Sequence, residues 1–280
     1  MAEETLATLR LDGVCVAGYS AGSRLEPVLA PRPYLHPVRT LAGRPVTDAQ
    51  PPDHPWHLGI SVAVPDVGGW NFWGGPTYLR GRGYTWQEDH GRIEHAGFTA
   101  LGSEGFDERL RWLSPGGEPV LAEHRRVRAR LAEHGWVLEV SSTLSNVSGR
   151  HLELGSPASN GRAGAGYGGL FWRLPPAGEP SVRAGAAVGE EAVHGSVGSC
   201  LVWSDRVAGF TVALTGTDAA TRADPWFVRV GEYPGVGSQL ASREPLPLPV
   251  ECSVRRGFCA LVADGVLDVG AVEQWVAEIV

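Results

Sequence analysis

The strongest constraint on the fold is a strict two-residue alternation in the middle of the chain. Charged and apolar side chains alternate between residues 126 and 131, in the order Arg126, Val127, Arg128, Ala129, Arg130 and Leu131. A second alternating run, with Trp136, Leu138 and Val140 on one face, follows directly after Glu133-His134-Gly135. Because successive side chains of a strand point to opposite faces, both runs predict β-strands, and the short connection predicts an antiparallel hairpin.

Further strands are predicted where apolar or alternating runs lie between Gly-rich and Pro-rich turns. These runs cover residues 5–11, 13–18, 59–64, 199–204, 207–215, 226–230 and 251–262. One helix is expected at about 268–279, where an apolar stripe follows the capping residue Asp268. Since the chain has no internal repeat and no linker, residues 1–280 are predicted to form one all-β domain. Its expected architecture is a large antiparallel β-sandwich with a short C-terminal helix.

Charge and composition exclude several function classes. The net charge of −7 argues against a nucleic-acid-binding role, because such a role needs basic surface to neutralise phosphates. All 24 basic residues are arginine, so the chain has no lysine to form a Schiff base with PLP or to reach the phosphates in a P-loop. No apolar stretch approaches twenty residues, and the acidic N-terminus lacks the features of a secretion signal. We therefore expect a cytoplasmic protein with no membrane partner.

The four cysteines show no metal-binding or disulfide pattern. Cys15, Cys200, Cys252 and Cys259 have no paired C-x-x-C spacing, which argues against a structural zinc site. With no secretion signal, disulfides are not expected either. Buried free thiols are the prediction.

Two short segments concentrate histidines, carboxylates and tryptophans: residues 52–59, read as PDHPWHLG, and residues 86–95, read as WQEDHGRIEH. Imidazole has the side-chain pKa nearest neutrality, and a neighbouring carboxylate can orient it. The prolines of the first segment predict a rigid loop. Alternation in the second predicts a strand that turns His95 inward with Ile93, whereas His90 is expected in a solvated turn. The predicted catalytic pair is His57 and His95. His54 and Glu88 are predicted to assist this pair, and Asp53 is the alternative to Glu88 as the orienting carboxylate. The alternative for His95 is a hydrogen-bonded core histidine with no catalytic role.

Two Gly-rich segments, residues 68–75 and 165–173, carry several aromatic rings. Aromatic faces stack on the C–H faces of sugar rings, while arginines hold hydroxyl or carboxylate groups. A carboxylate before the strand at 226–230 is either a ligand contact or a turn-forming residue. The predicted substrate-binding residues are Arg39, Trp73, Arg92, Tyr167, Trp172, Arg173 and Asp224.

Several motifs in combination resemble the PmoA-like family of actinobacteria, a family of unknown function that carries a methane oxygenase label. They are RPYLHPVRT at 32–40, DHPWH at 53–57, NFW at 71–73, GRIEH at 91–95 and GYGGLFWR at 166–173. The resemblance implies a supersandwich like that of the galactose mutarotase group and a role in sugar catabolism. Members often have Trp-His-His-Gly where this chain has Trp56-His57-Leu58-Gly59. A membrane-bound methane oxygenase needs spanning helices, and this sequence predicts none.

Three functions remain as hypotheses. The first is an enzyme that acts on a sugar or sugar-like molecule by His/carboxylate general acid–base chemistry, through epimerisation, ring opening or elimination. The second uses Zn²⁺ or Fe²⁺ held by His54, His57 and His95, with Glu88 as a further ligand. The third is a non-catalytic carbohydrate- or metabolite-binding or biosynthetic accessory protein. We expect no cofactor, and the alternative is a divalent metal. The expected partner is a carbohydrate-like small molecule. The protein is expected to be a monomer or a homodimer.

Overall fold

A computed structural model describes residues 4–279 of the chain. The strands are β1 (Thr5–Leu11), β2 (Val14–Ser20), β3 (Tyr34–Val38), β4 (Ile60–Ala63), β5 (Asp66–Val67), β6 (Thr77–Leu79), β7 (Gly83–Thr85), β8 (Arg92–Gly102), β9 (Gly105–Leu113), β10 (Pro119–Ala132), β11 (Gly135–Asn146), β12 (Leu152–Gly155), β13 (Gly169–Arg173), β14 (Pro180–Ala184), β15 (Ala187–Val188), β16 (Leu201–Asp205), β17 (Phe210–Gly216), β18 (Trp226–Arg229), β19 (Gly235–Ser238), β20 (Leu246–Leu248) and β21 (Ser253–Asp264). The helices are a 3-10 turn (Pro27–Leu29), α1 (Glu190–Val193), α2 (Ala219–Ala223) and α3 (Val269–Ile279).

Two large antiparallel sheets form the body of the protein. One has seven strands in the order β1-β2-β3-β4-β13-β19-β18, and the other has nine in the order β15-β14-β16-β17-β21-β11-β10-β9-β8. Apolar side chains from both sheets share one continuous core, in which Val16 and Trp172 of the first sheet meet Val127 and Trp136 of the second. The predicted all-β antiparallel sandwich is confirmed.

The hairpin predicted from alternation is the β10–β11 pair. Its register runs from Leu121 opposite Asn146 to Ala132 opposite Gly135. Val127 is buried in the core, whereas Arg128 and Arg130 point to the other face, where they pair with Asp107 and Glu139. The arginine ladder is therefore the outer face of a sheet and not an anion site.

The C-terminal helix covers the outer face of the nine-stranded sheet. Its first turn is capped by Asp268, whose Oδ1 accepts a hydrogen bond from the Ala271 amide at 2.8 Å. Val272 and Trp275 are buried in an apolar cluster with Cys200 and Cys259. The predicted helix is confirmed, beginning at Val269. Among residues 4–279, no helix is long and apolar enough to cross a membrane.

The prediction of buried thiols is right for two of the four cysteines. Cys200 and Cys259 are buried, and burial raises the pKa of each thiol to about 12. Cys15 and Cys252 are exposed, so the prediction is wrong for them. Cys15 is the second residue of β2 and Cys252 directly precedes β21, and the chain is exposed on both sides of Cys252 and before Cys15.

Candidate functional site

A cavity of about 260 Å³ opens beside one end of the seven-stranded sheet. Four loops and the β6–β7 hairpin meet there, and strand β18 supplies one wall. The lining residues are His54, Trp56, His57, Trp73, Gly74, Pro76, Tyr84, Arg162, Tyr167, Phe227, Arg229, Glu232 and Tyr233.

A tight loop before strand β4 brings two histidines onto the same wall of this cavity. The His54 amide donates to the Pro51 carbonyl at 3.1 Å, and the His57 amide donates to the His54 carbonyl at 2.9 Å. These consecutive turns stack the two imidazole rings, with centroids 4.7 Å apart and planes 11° from parallel. Prolines on both sides of Asp53 restrict the backbone, which is why the loop is a stiff platform. The rigid loop predicted from the sequence is present.

Asp53 and Arg173 connect the Nδ1 atoms of these two rings. Asp53 Oδ2 lies 2.9 Å from His54 Nδ1 and 3.2 Å from Arg173 Nη1. Arg173 Nη1 lies 3.3 Å from His57 Nδ1. The four side chains therefore form a closed ring of contacts, in which an ion pair joins two stacked imidazoles.

The charges in this ring are set by burial and by the neighbours. His57 is 1% exposed, and its burial, reinforced by the positive charge of nearby groups including Arg173, lowers its pKa well below the usual value. His57 is thus neutral at pH 7. Partial burial acts to raise the pKa of Asp53, but the hydrogen bond from His54 and the Arg173 charge outweigh it and lower that pKa. Asp53 is thus a carboxylate.

The partners of the two Nδ1 atoms determine where each imidazole carries its proton. A guanidinium only donates hydrogen bonds, so His57 Nδ1 must accept from Arg173, and the proton of neutral His57 lies on Nε2. A carboxylate only accepts, so His54 Nδ1 donates to Asp53, and Nε2 is the His54 nitrogen left to bind a proton. His57 therefore presents a proton-donating Nε2, and His54 presents the nitrogen at which it exchanges a proton.

Arg32, which is fully buried, holds the floor of the site. Its guanidinium donates to the carbonyls of Trp56, at 2.8 Å, and Trp73, at 3.0 Å. It also donates to the Leu29 and Ala30 carbonyls. Since these bonds join three separate loops, Arg32 is the residue that fixes both tryptophan-bearing segments next to the histidines.

Aromatic rings form the walls around the histidines. The Tyr233 ring lies 4.6 Å from His54 and 4.8 Å from His57, centroid to centroid. Trp73 contacts both His57, at 5.8 Å, and Tyr167, at 4.5 Å. Burial raises the pKa of Tyr167 and of Tyr233, so both hydroxyls stay protonated as hydrogen-bonding groups. The lining combines aromatic ring faces with polar groups in about equal measure.

The rim of the cavity carries two arginines in different surroundings. Arg229 lies 3.5 Å from Glu232 and 3.9 Å from Glu190, and it donates to the Gly164 carbonyl at 2.8 Å. Arg162 instead donates to the Tyr84 hydroxyl at 2.6 Å. Trp86, which is 59% exposed, packs edge-on against the lining residue Trp56.

Several residues predicted from the sequence meet in this cavity or directly behind it. His54, His57, Trp73 and Tyr167 line it, and Arg173 supports it through Asp53 and His57. Leu58, in the position where the PmoA-like motif has a second histidine, is fully buried and does not line the cavity.

His95 belongs to a different cluster, between the sheets. Its Nδ1 lies 2.5 Å from Glu108 Oε1, and the other Glu108 oxygen accepts from the Tyr19 hydroxyl. Alternation does turn His95 inward, but strand β8 is the edge of the nine-stranded sheet, and its inner face does not reach the cavity. The structure therefore does not bring His57 and His95 together, and a hydrogen-bonded core histidine describes His95.

The other predicted site residues also lie elsewhere. Glu88 is exposed in the loop before β8, and Arg92 pairs with Glu94 on the face of β8 opposite the buried Ile93. Arg39 donates to the Gly43 carbonyl in a surface turn. Trp172 points into the core, where it donates to the Val46 carbonyl, because β13 alternates it with cavity-facing Phe171. Asp224 forms an ion pair with Arg256 on the other sheet, at 2.7 Å.

His90, expected in a solvated turn, is buried. Its Nε2 lies 2.7 Å from the Gly75 carbonyl, because the loop from Asn71 to Gly75 folds over it. This bond supports the segment beneath Trp56.

The predicted metal ligands do not assemble. Within residues 4–279, no group of three or more His, Cys, Asp or Glu side chains is arranged to hold a metal ion. His54 and His57 are adjacent, but Nδ1 of His57 faces a guanidinium, and His95 belongs to the Glu108 cluster. The metal-dependent hypothesis therefore lacks its third ligand.

Nine of the thirteen lining residues were not predicted as site residues, among them the polar Tyr84, Arg162, Arg229 and Tyr233. A usable signal existed for two of them, because Arg229 and Tyr233 follow the aromatic pair of strand β18 closely. Tyr84 and Arg162 reach the cavity from an isolated hairpin and a long loop, and no local pattern predicts their meeting.

Comparison with protein families gives a match over residues 7–277 to a family of unknown function, DUF6807. The chain belongs to the DUF6807 family. The description of this family carries no methane oxygenase label, so the PmoA-like resemblance remains a resemblance of short motifs. A search of curated proteins found no match to this chain.

Solved structures with a similar chain path include members of the mutarotase group. A galactose mutarotase related enzyme from Lactobacillus acidophilus is 12% identical, with a TM-score of 0.49, over 93% of this chain and 99% of its own. The galactose 1-epimerase of L. acidophilus NCFM is also 12% identical, with a TM-score of 0.44, over 95% and 100% of the two chains. The Slr1438 protein from Synechocystis sp. PCC 6803 is 11% identical, with a TM-score of 0.48, over 94% and 100%. These distant likenesses transfer no activity to this chain.

Proposed function

We propose that the cavity binds a sugar-like ring and that His54 and His57 catalyse proton transfer on its oxygen atoms. The observation that supports this proposal is the pair of stacked imidazoles with opposite Nδ1 partners, a carboxylate on His54 and a guanidinium on His57. Adjacent acceptor and donor nitrogens are what a general base and a neutral hydrogen-bond donor require.

The size and the lining of the cavity favour a single small ring. Its volume of about 260 Å³ lies just below the roughly 300–1,000 Å³ typical of small-molecule sites. Trp73, Tyr167 and Tyr233 offer flat faces to the C–H groups of a sugar, and tyrosine hydroxyls and arginines offer partners to its oxygens. A carbohydrate-like substrate fits this combination.

The common wall of the two histidines favours ring opening over inversion at carbon. Inverting a carbon centre by proton transfer between two bases needs groups on opposite faces of the substrate. His54 and His57 are stacked and approach from one side. Neighbouring oxygens of a cyclic hemiacetal, the anomeric hydroxyl and the ring oxygen, suit such a pair.

In the proposed reaction, Nε2 of His54 removes the proton of the anomeric hydroxyl while the carbon–oxygen double bond forms. The bond between the anomeric carbon and the ring oxygen breaks, and its electrons go to the ring oxygen. Nε2–H of His57 donates a hydrogen bond to that oxygen as negative charge develops. The protonated His54 then returns its proton to the ring oxygen, and the reverse reaction on the rotated aldehyde gives the other anomer. Asp53 holds His54 and stabilises its charged form.

Anomer exchange measured by NMR on a panel of aldoses tests this proposal. We expect the wild-type protein to accelerate exchange of at least one sugar, and His54→Asn to lose about 10²–10⁴-fold of that rate. His57→Asn should lose about 10²–10³-fold, the effect of removing one such donor. His124→Asn, at an exposed position on β10, is the matched control. The proposal is wrong if both site variants keep the wild-type rate; a sugar that binds but whose exchange is not accelerated would support the non-catalytic binding hypothesis instead.

A further inference from the structure

We propose that Arg162 and the Tyr84 hydroxyl form a subsite for a carboxylate, so that the ligand of the cavity is a sugar acid. The carboxylate part stands on the surroundings of Arg162, and the sugar part rests on the proposed function.

Arg162 is the cavity arginine whose positive charge lacks a protein counterion. Its Nη1 donates to the Tyr84 hydroxyl at 2.6 Å, and its Cζ lies 4.8 Å from the centroid of the same ring. Among the residues that the structure describes, none of its nitrogens lies within 4.0 Å of a carboxylate. A guanidinium has five N–H donors, so most of its hydrogen-bonding capacity is free for a ligand.

Arg229, the other arginine of the cavity, provides a contrast. Two carboxylates, Glu190 and Glu232, lie within 4.0 Å of its guanidinium. It also donates to the carbonyls of Gly164 and Val228, each at 2.8 Å. Its charge and its donors are used by the protein, so it supports the wall formed by β18 and does not call for an anionic ligand.

The charge of the lining favours a monoanion. Arg229 is already paired with Glu190 and Glu232, and His57 is neutral, so Arg162 is the lining arginine whose charge is left for a ligand. A carboxylate carries one negative charge, whereas a phosphate ester carries close to two at neutral pH. The planar guanidinium also matches the two oxygens of a carboxylate in a bidentate pair.

A chain of aromatic contacts connects this subsite to the histidines. The Tyr84 hydroxyl lies 3.0 Å from that of Tyr167, whose ring packs on Trp73, and Trp73 in turn contacts His57. A ring that stacks between these walls can present its hemiacetal to His54 and His57 and a carboxylate on another carbon to Arg162.

Calorimetric titration with matched sugars tests the assignment. The probes are D-galacturonate and D-glucuronate, D-galactose and D-glucose, and the 6-phosphates of the two neutral sugars. We expect at least one acid to bind the wild-type protein about tenfold more tightly than its neutral partner, as for one charge-assisted pair. In Arg162→Gln the ratio of the acid affinity to the neutral-sugar affinity should fall to about one. Arg80→Gln is the control, because Arg80 donates to the Ser159 carbonyl near Gly161 but does not line the cavity.

Each alternative result has a defined meaning. An acid preference that is absent, or that survives in Arg162→Gln with an unchanged melting temperature, overturns the subsite. Tighter binding of the 6-phosphates than of the acids overturns its assignment to a carboxylate. If neutral sugars bind and their anomer exchange depends on His54, the proposed function stands even when the subsite fails. If no probe binds the wild-type protein at tens of millimolar, both proposals are wrong.

Discussion

Arg173 donates through Nη1 to Nδ1 of His57 at 3.3 Å, and this contact places the proton of the buried, neutral imidazole on Nε2. The same guanidinium pairs with Asp53, which accepts from His54. One buried arginine thus sets the hydrogen-bonding roles of two histidines. His54 and Asp53 form a base and the carboxylate that orients it. His57, the second histidine, is uncharged.

Replacing Asp53 by Asn tests the role of its charge. Asparagine keeps the size of the side chain but removes the negative charge that stabilises protonated His54, so we expect the rate of anomer exchange to fall about 10–100-fold. Substrate affinity should change little, because Asp53 does not line the cavity. Asp48→Asn, a carboxylate of the same loop that binds only its neighbouring Ala49 amide, is the control. Equal rates for wild type and Asp53→Asn would exclude an orienting role.

Features of the fold and the site that depend on neighbouring residues are predictable from the sequence, whereas those that depend on pairing between distant segments are not. Two-residue alternation predicts the β10–β11 hairpin and the inward turn of His95, because it is a local property of each strand. The closeness of His54 and His57 was predictable for the same reason, since only Pro55 and Trp56 separate them in a proline-rich loop. Sheet order is not local, and it decides that β8 lies at an edge away from the cavity.

Long-range pairing also explains which site residues were missed. Arg229 and Tyr233 reach the cavity because β18 pairs with β19, which in turn pairs with β13 in the seven-stranded sheet. The sequence pattern predicted Asp224, just before β18, as a substrate-binding residue. Its carboxylate instead pairs with Arg256 of the other sheet. An arginine on a distant strand cannot be assigned to its carboxylate without the pairing.

The buried neutral His57 predicts a loss of stability in mild acid. Its folded-state pKa lies well below its unfolded value of 6.5, so below pH 6.5 the unfolded chain binds more protons than the folded chain. The free energy of unfolding therefore falls as the pH drops from 6.5, by up to about 1.4 kcal/mol per pH unit for this one group. His57→Asn removes the titration, so we expect a shallower acid limb in urea titrations between about pH 6.5 and pH 5. Parallel pH profiles of wild type and variant would contradict this expectation.

Glu108 predicts a pH dependence of the opposite sign. Burial raises its folded-state pKa above 4.5, although Arg125 and the hydrogen bonds from Tyr19 and His95 oppose the shift. Between 4.5 and the raised value, the folded chain binds more protons, so this group's contribution is present below pH 4.5 and is lost as the pH rises. Glu108→Gln keeps an acceptor for the Tyr19 hydroxyl and removes the titration.

Urea titrations from pH 4 to pH 7 measure this difference. We expect the stability of wild type relative to Glu108→Gln to decrease with rising pH. Glu139→Gln, on the outer face of β11 beside Arg130, is the control and should leave the profile unchanged. A relative stability that increases with pH would mean that the Tyr19 and His95 hydrogen bonds dominate over burial.

Gly75 supports the cavity wall by leaving room for Trp56. Its φ of +70° lies in the left-handed region, and an added Cβ would lie 2.5 Å from Trp56 Cε2. The glycine cannot move aside easily, because its carbonyl accepts from His90 and its amide donates to the Val28 carbonyl. In Gly75→Ala the indole of Trp56 must therefore shift, and we expect sugar affinity to fall about tenfold, or about 1.4 kcal/mol.

Gly149→Ala separates this packing effect from backbone strain. Gly149 has a φ of +74°, but an added Cβ would meet no atom within 4 Å. Both variants should lose about 1–2 kcal/mol of folding stability from the left-handed backbone alone. Only Gly75→Ala should also weaken sugar binding in calorimetry and shift the Trp56 indole resonance. Equal affinities for the two variants would show that Trp56 does not contact the ligand, and the stacking wall would then consist of Trp73, Tyr167 and Tyr233.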